Sequence, residues 1–337
     1  MRTRLIAVVD ALPPNAFAAV MATGILGVAL THIVSAPAGM ALFVIAEVIL
    51  LALLTATIIR AFRDRRGVIA DTREVGRALG WWTFPTAVAV SAALADALGI
   101  VGVLWPALIV AALSWLVLSY VVLPTVLSRH TGSPLADAVD GSWLLLVVST
   151  QALAIVCGLA GAAVPAIVLW GTGIVLYFLL ASALLSRLLR NSVGGHAAPT
   201  VWIVMGATAV SALAATRIAN LETLHPLVPF LDGAAVMLWG FGTLSIPYLI
   251  LLGVRRYFIY REPVRFEYGL WSVVFPLGMY ATATHALASV VHADVLDVVA
   301  MIALVATATA WIGVVILAII AFVSIGSGSP GGTRAQR

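Results

Sequence analysis

The chain has 337 residues, 63% hydrophobic and only 9% charged, with a mean hydropathy of +1.13. A water-soluble domain carries charge on about a quarter of its residues, so this composition excludes one. Apolar runs able to cross a hydrocarbon core of about 30 Å recur from end to end, which defines an all-α polytopic membrane protein with no room for a separate soluble domain.

The first residues, MRTRLIAVVDALPPNAF, have a basic head. Asp10, Pro13, Pro14 and Asn15 interrupt the apolar segment, so it reads as an interfacial lead into a first span and not as a cleaved signal. Ten spans are predicted at roughly 14–32, 39–60, 82–98, 102–127, 143–160, 164–189, 200–217, 233–254, 270–291 and 295–324. Residues 1–325 then form one transmembrane domain, and 326–337, ending GSGSPGGTRAQR, a flexible cytoplasmic tail.

All 18 basic residues are arginines. All but Arg217 fall on one side of the predicted spans. That bias places both termini in the cytoplasm, requires an even number of spans and explains the pI of about 9.6 without nucleic acid. The breaks on the outer side are mostly short (HIVSAPAG, GIVG, GAAV, VHAD), with RIANLETLHPLVPF the exception. Each odd span is thus tied tightly to the next even one, which suggests five antiparallel hairpins.

Odd spans are rich in small and hydroxyl residues, even spans in large aliphatic ones. Small residues allow backbones to approach, and polar ones need a partner or water. Two arrangements satisfy this: odd helices as central packing elements, or odd helices as an inner ring around a central pore with the even helices outside.

Span one offers Pro14, Thr23 and Gly24, and span two Glu47, the acid deepest within a span. Span three opens WWTFP, with Phe84, Pro85 and Ser91. Span five contributes Thr150 and Gln151, span seven Thr208 and Ser211. In span nine, WSVVFPLGMYATATHALAS repeats the Trp and Phe-Pro of span three. Helical spacing puts Phe275, Gly278, Thr282, His285 and Ser289 on one face. Pro14, Pro85 and Pro276 are candidate kinks, because proline removes a helical hydrogen bond.

Hydroxyls, an amide and proline-opened backbone can coordinate an ion weakly enough to release it, and the scarcity of carboxylates favours an anion. Phe275 is either a hydrophobic plug or an ordinary packing ring. Glu47 is a proton carrier or a locally satisfied acid. Arg217 is its partner, an anion-collecting charge at the outer mouth or a snorkelling side chain. His285 senses pH or is satisfied by packing. His285 and His292 lack metal-site spacing, and no cofactor fingerprint or nucleophilic elbow occurs, so no metal, cofactor or enzymatic activity is expected.

The motifs LPPNAFAAVMATGIL, WLLLVVSTQALA and WSVVFPLGMYATAT resemble the tellurite-resistance and dicarboxylate transporter family. It includes the bacterial tellurite-resistance channel, yeast malate and sulfite transporters and the plant guard-cell slow anion channels. The resemblance implies a homotrimer in the cytoplasmic membrane, each protomer with its own pore inside five hairpins. It also implies that a phenylalanine of span nine, at the position of Phe275, occludes that pore. The expected function is an anion channel or transporter for small anions such as chloride, nitrate or sulfite, or for C4-dicarboxylates such as malate. The rival is a proton-coupled dicarboxylate or sulfite/tellurite exporter, with Glu47 or His285 carrying the proton.

Overall fold

The computed structural model describes residues 9–129, 139–190 and 198–327. It is 89% helical with no strands among the described residues. Among the described residues, ten helices are long and apolar enough to cross a membrane: α1 (Pro14–Ile33), α2 (Ala36–Arg63), α3 (Val75–Ala97), α4 (Leu104–Ser128), α5 (Gly141–Leu159), α6 (Ala163–Arg190), α7 (Pro199–Ala219), α8 (Glu222–Ile259), α9 (Tyr268–Val291) and α10 (Val295–Ser327). Most ends fall within a few residues of those expected. The eighth differs, since the segment read as a long loop winds into a 3₁₀ turn (Glu222–Leu227) that runs directly into the helix at Val228. Pro229 lies in that first turn, where its missing N–H leaves no bond unmade. The tail expected at 326–337 lies outside the described residues apart from its first two positions, which close α10. Arg2, Arg4, Arg334 and Arg337 lie outside them too.

The odd helices are buried over 67–89% of their apolar windows and the even ones over only 11–28%. Contacts run α1–α3–α5–α7–α9 and back to α1, closing a ring of five buried helices. Each even helix packs against the odd helix before it and leans on the next one round, α10 returning to α1. Outward faces of the even helices carry Val48, Leu113, Val175, Leu244 and Ile316, all at least half exposed. Such a belt is unfavourable in water and suits hydrocarbon.

Glycines set the spacing within the ring. A Cβ on Gly24 of α1 would come within 2.8 Å of Val90 on α3. One on Gly278 of α9 would come within 2.8 Å of Ile25 on α1, and one on Gly206 of α7 within 2.8 Å of the Pro276 ring on α9. Without Cβ atoms, these helices approach closely enough for dispersion to hold them where the hydrophobic effect no longer does.

At the arginine-rich end, buried charges tie the first two hairpins together. Asp71, closing a short helix (Arg65–Asp71) between α2 and α3, pairs with Arg60 at 2.6 Å and Arg77 at 2.5 Å. Arg60 also donates to the Leu12 carbonyl at 2.8 Å, anchoring the chain ahead of α1. Asp71→Ala leaves the buried Arg60 guanidinium without its counter-charge. It is expected to cost about 3 kcal/mol of stability, read as a lowered thermal midpoint of the purified protein in detergent.

Candidate functional site

The hydroxyls of the inner helices divide into two groups. Thr23 of α1 bonds the Ala19 carbonyl and accepts from the indole N–H of Trp311 on α10 at 2.9 Å. Thr150 of α5 accepts from Trp115 on α4 at 3.0 Å, and Thr284 of α9 from Trp239 on α8 at 2.9 Å. Trp170 of α6 donates to the Ser211 carbonyl on α7 at 3.0 Å, while the Ser211 hydroxyl bonds its own helix at Ala207. In each case an outer-helix tryptophan is bonded to the inner helix that follows it round the ring. Thr208 likewise packs against Gly242 of α8, and Gln151 donates to the Trp170 carbonyl at 3.0 Å. Thr23, Thr150, Gln151 and Thr208 therefore face the outer layer, a correction to the lining expected of them. Helical spacing identified a face but not which neighbour that face meets.

The prolines also divide. Pro14 opens a 3₁₀ turn (Pro14–Phe17), and Pro85 follows another (Leu79–Trp82), both at the arginine-rich starts of their helices. Pro276 lies inside α9, clamped against Gly206. Gly24 and Gly278 serve as the close contacts described above.

The contacts of α9 orient its stripe. Pro276 marks the direction of α7, Gly278 that of α1, and Thr284 with Tyr280 that of α8. At about 100° per residue, Phe275, Met279, Thr282 and Ala286 fall in the arc between Pro276 and Gly278, away from α8. That arc is turned toward the middle of the ring. The same construction on α1 uses Gly24 toward α3, Ile25 toward α9 and Thr23 toward α10, and turns Phe17, Met21, Val28 and His32 to the middle. On α5, Thr150 and Gln151 point outward to α4 and α6, which leaves Ser149 on the inner side. Ser91 and Ser149 both bury a hydroxyl with no hydrogen-bond partner among the described residues.

Phe17, Met21, Ser149, Phe275, Met279 and Thr282 are all buried, so the middle of the ring is closed to water along this stretch. Phe17 stacks edge-to-face on Phe84, centroids 5.1 Å apart, at the same end as Phe275. Phe17 was missed in the sequence, although it follows Pro14 by three residues much as Phe84 and Phe275 flank their own prolines.

At the other end the ring opens into a vestibule of about 490 Å³. Thr282, His285 and Ser289 of α9, His32 of α1 and Arg217 of α7 line it, with His292, Asp294 and Asp297 at the α9–α10 turn. His285 Nδ1 is 2.8 Å from an Asp297 carboxylate oxygen, and Arg217 Nη2 is 3.3 Å from His32 Nε2. Ser289 bonds the Ala286 carbonyl, and Thr282 that of Gly278. Glu47 stands apart, with one carboxylate oxygen buried and without a partner among the described residues. No bond between Glu47 and Arg217 occurs among the described residues; Arg217 instead faces His32. No group of three His, Cys, Asp or Glu side chains among the described residues is placed to hold a metal ion.

A closed five-helix ring of buried spans, sheathed by five more and mouthed by a charged vestibule, is the architecture of a polytopic channel or transporter. The sequence profile of the voltage-dependent anion channel family, SLAC1, matches residues 11–319, and the chain belongs to that family. Two strains of Mycobacterium tuberculosis each carry an uncharacterized membrane protein that is 33% identical over 126 residues, 36% of this chain and 64% of the relative. An uncharacterized transporter of Methanocaldococcus jannaschii is 25% identical over 129 residues, 38% of this chain and 37% of the relative. The matches thus span less than two thirds of the length of each of these relatives.

Gly206→Ala places a methyl against the rigid Pro276 ring, with separations of 2.8 and 3.1 Å to its Cγ and Cβ. It is expected to cost about 1–3 kcal/mol by overpacking, measured as a fall in thermal midpoint. Gly240→Ala on α8, where the added carbon meets nothing within 4 Å beyond its own helix backbone and chain neighbours, should not lower the midpoint.

Proposed function

We propose that the protein conducts small anions across the cytoplasmic membrane through the middle of its inner ring, with Phe275 as the gate. The observation that carries this reading is the closed ring of five buried helices, open at one end to a charged vestibule that holds Arg217 and shut by buried rings and thioethers at the other. The anion enters past Arg217 and His32, descends to Thr282, and meets an apolar stretch at Met279, Met21, Phe275 and Phe17. A hydrophobic constriction of this kind stops ions by excluding the water they travel with. The unpartnered hydroxyls of Ser91 and Ser149 are available to an anion that has lost part of its shell.

Five hairpins around one pore, in a single domain, form the protomer in this reading, and three protomers the assembly. The arginine-rich end faces the cytoplasm, with both termini on that side. Substrates are chloride, nitrate, sulfite or a malate-like dicarboxylate, and no enzymatic activity is proposed. A proton-coupled dicarboxylate or sulfite exporter on the same scaffold is a second reading, favoured by the buried, unpartnered oxygen of Glu47 as a place for a transported proton. His285 serves that role less well because Asp297 already holds it.

Flux and current in liposomes, wild type beside Phe275→Ala, separate the readings. Under the gate reading the mutant passes chloride and nitrate passively at least about tenfold faster than wild type. Saturable flux driven by a pH gradient, damaged by Phe275→Ala and by Glu47→Gln, would install the exporter instead.

A further inference from the structure

The vestibule holds a pair whose hydrogen-bond chemistry permits only one protonation state. A guanidinium has donors and no acceptor, so the 3.3 Å contact from Arg217 Nη2 requires His32 Nε2 to present a lone pair. His32 Nδ1 lies 2.9 Å from the Val28 carbonyl oxygen, which can only accept, so Nδ1 carries the proton. Both bonds together select the neutral imidazole with hydrogen on Nδ1. A second proton converts Nε2 to a donor, breaks the bond to Arg217 and sets two cations face to face.

We propose that His32 and Arg217 form a proton-linked binding site for a small oxyanion in the vestibule. With His32 neutral, the imidazole occupies one arm of the guanidinium. With His32 protonated, Arg217 is released, and an oxyanion bridges the guanidinium fork and the Nε2 hydrogen. Proton and anion then bind together, each stabilising the other. The oxyanion is chosen over a halide because the planar fork offers paired donors to two oxygens.

The surroundings support this linkage. α1 and α7 both end at the vestibule, so the negative ends of their backbone dipoles lie beside His32 and Arg217 and favour a second positive charge there. Asp96 at the end of α3 is within electrostatic reach of both residues and favours positive charge on each. His285 of α9 also lines the vestibule with His32, its Nδ1 2.8 Å from an Asp297 carboxylate oxygen of α10. His292 and Asp294 complete the charged groups of the wall, and Thr216, Asn220 and Ser289 add neutral polar surface. The proposal rests on the reading of the ring as an anion path, to which it adds a regulated point of entry.

Calorimetric titration of the purified full-length protein with sodium nitrate, in chloride-free detergent buffer, tests it. Wild type should bind nitrate about tenfold more tightly at about pH 5.5 than at about pH 7.5. His32→Gln still offers an oxygen to Arg217 but takes no proton, so its affinity should change less than about twofold between the same two pH values. Arg217→Gln should lose binding at both, and His285→Gln should keep the wild-type pH dependence. Thermal midpoints establish that each variant is folded. Absence of nitrate binding in folded wild type, an undiminished pH dependence in His32→Gln, or its loss in His285→Gln would each overturn the proposal. Nitrate flux through Phe275→Ala in liposomes is read beside the titration. Flux without pH-linked binding overturns the proposal and leaves the anion path standing, whereas pH-linked binding without flux upholds the site and removes the path.

Discussion

Hydrocarbon offers a polar side chain no hydrogen-bond partner, and the arrangement of this protein follows from that constraint. Hydroxyls on the inner helices are therefore mostly answered within the protein, with Ser91 and Ser149 the exceptions noted above. Thr23 of α1, Thr150 of α5 and Thr284 of α9 do this twice, bonding the carbonyl one turn back and accepting an indole N–H from the outer layer. The tryptophans have the same need, since an indole N–H facing lipid would be unmet. Each bond therefore satisfies two groups and fixes the rotation of an outer helix against its inner neighbour. The donor is repeatedly an even helix and the acceptor the next odd helix round, so one chemical requirement is enough to order the two layers.

That ordering decides what is left for the middle. Hydroxyls committed outward are not available to a permeating ion, and the inward arcs are mainly Phe, Met, Val and Ala with Ser149 and Thr282 among them. Glu47 on α2 apart, charge on the described spans lies toward their ends. The arginine-rich end is extensively compensated: Asp71 answers Arg60 and Arg77, and Glu262 and Glu267 answer Arg256. In the vestibule Arg217 meets a histidine rather than a carboxylate.

Much of this was legible in the sequence. Ten apolar runs, the alternation of small with bulky spans and the short breaks between them anticipate ten helices and their unequal burial, because lipid exposure and burial select different side chains at every position. The direction of a given side chain was not legible. Thr23 and Gly24 are adjacent, yet one meets Trp311, distant in the chain, and the other Val90. Spacing groups residues on a face, but only the identity of the flanking helices says whether that face is inside or outside. The span-nine stripe illustrates the limit: Thr282, His285 and Ser289 do share the vestibule, while Gly278 at its edge is a contact with α1. The His32–Arg217 contact joins residues 185 positions apart and left no local trace.

The separation of charge from the bore has a consequence for selectivity. An ion crossing an apolar stretch gives up hydration, at a cost that falls with ionic size and charge diffuseness. Hydroxyls such as those of Ser91 and Ser149 return part of that cost to any anion without distinguishing among them closely. On the proposed anion path, sign is discriminated at the vestibule by Arg217, and identity in the apolar stretch, which weakly hydrated anions cross most easily. On the proposed reading the two filters lie in series and on different residues, so a change at the mouth alters how much anion is presented, while a change at Phe275 alters whether any passes.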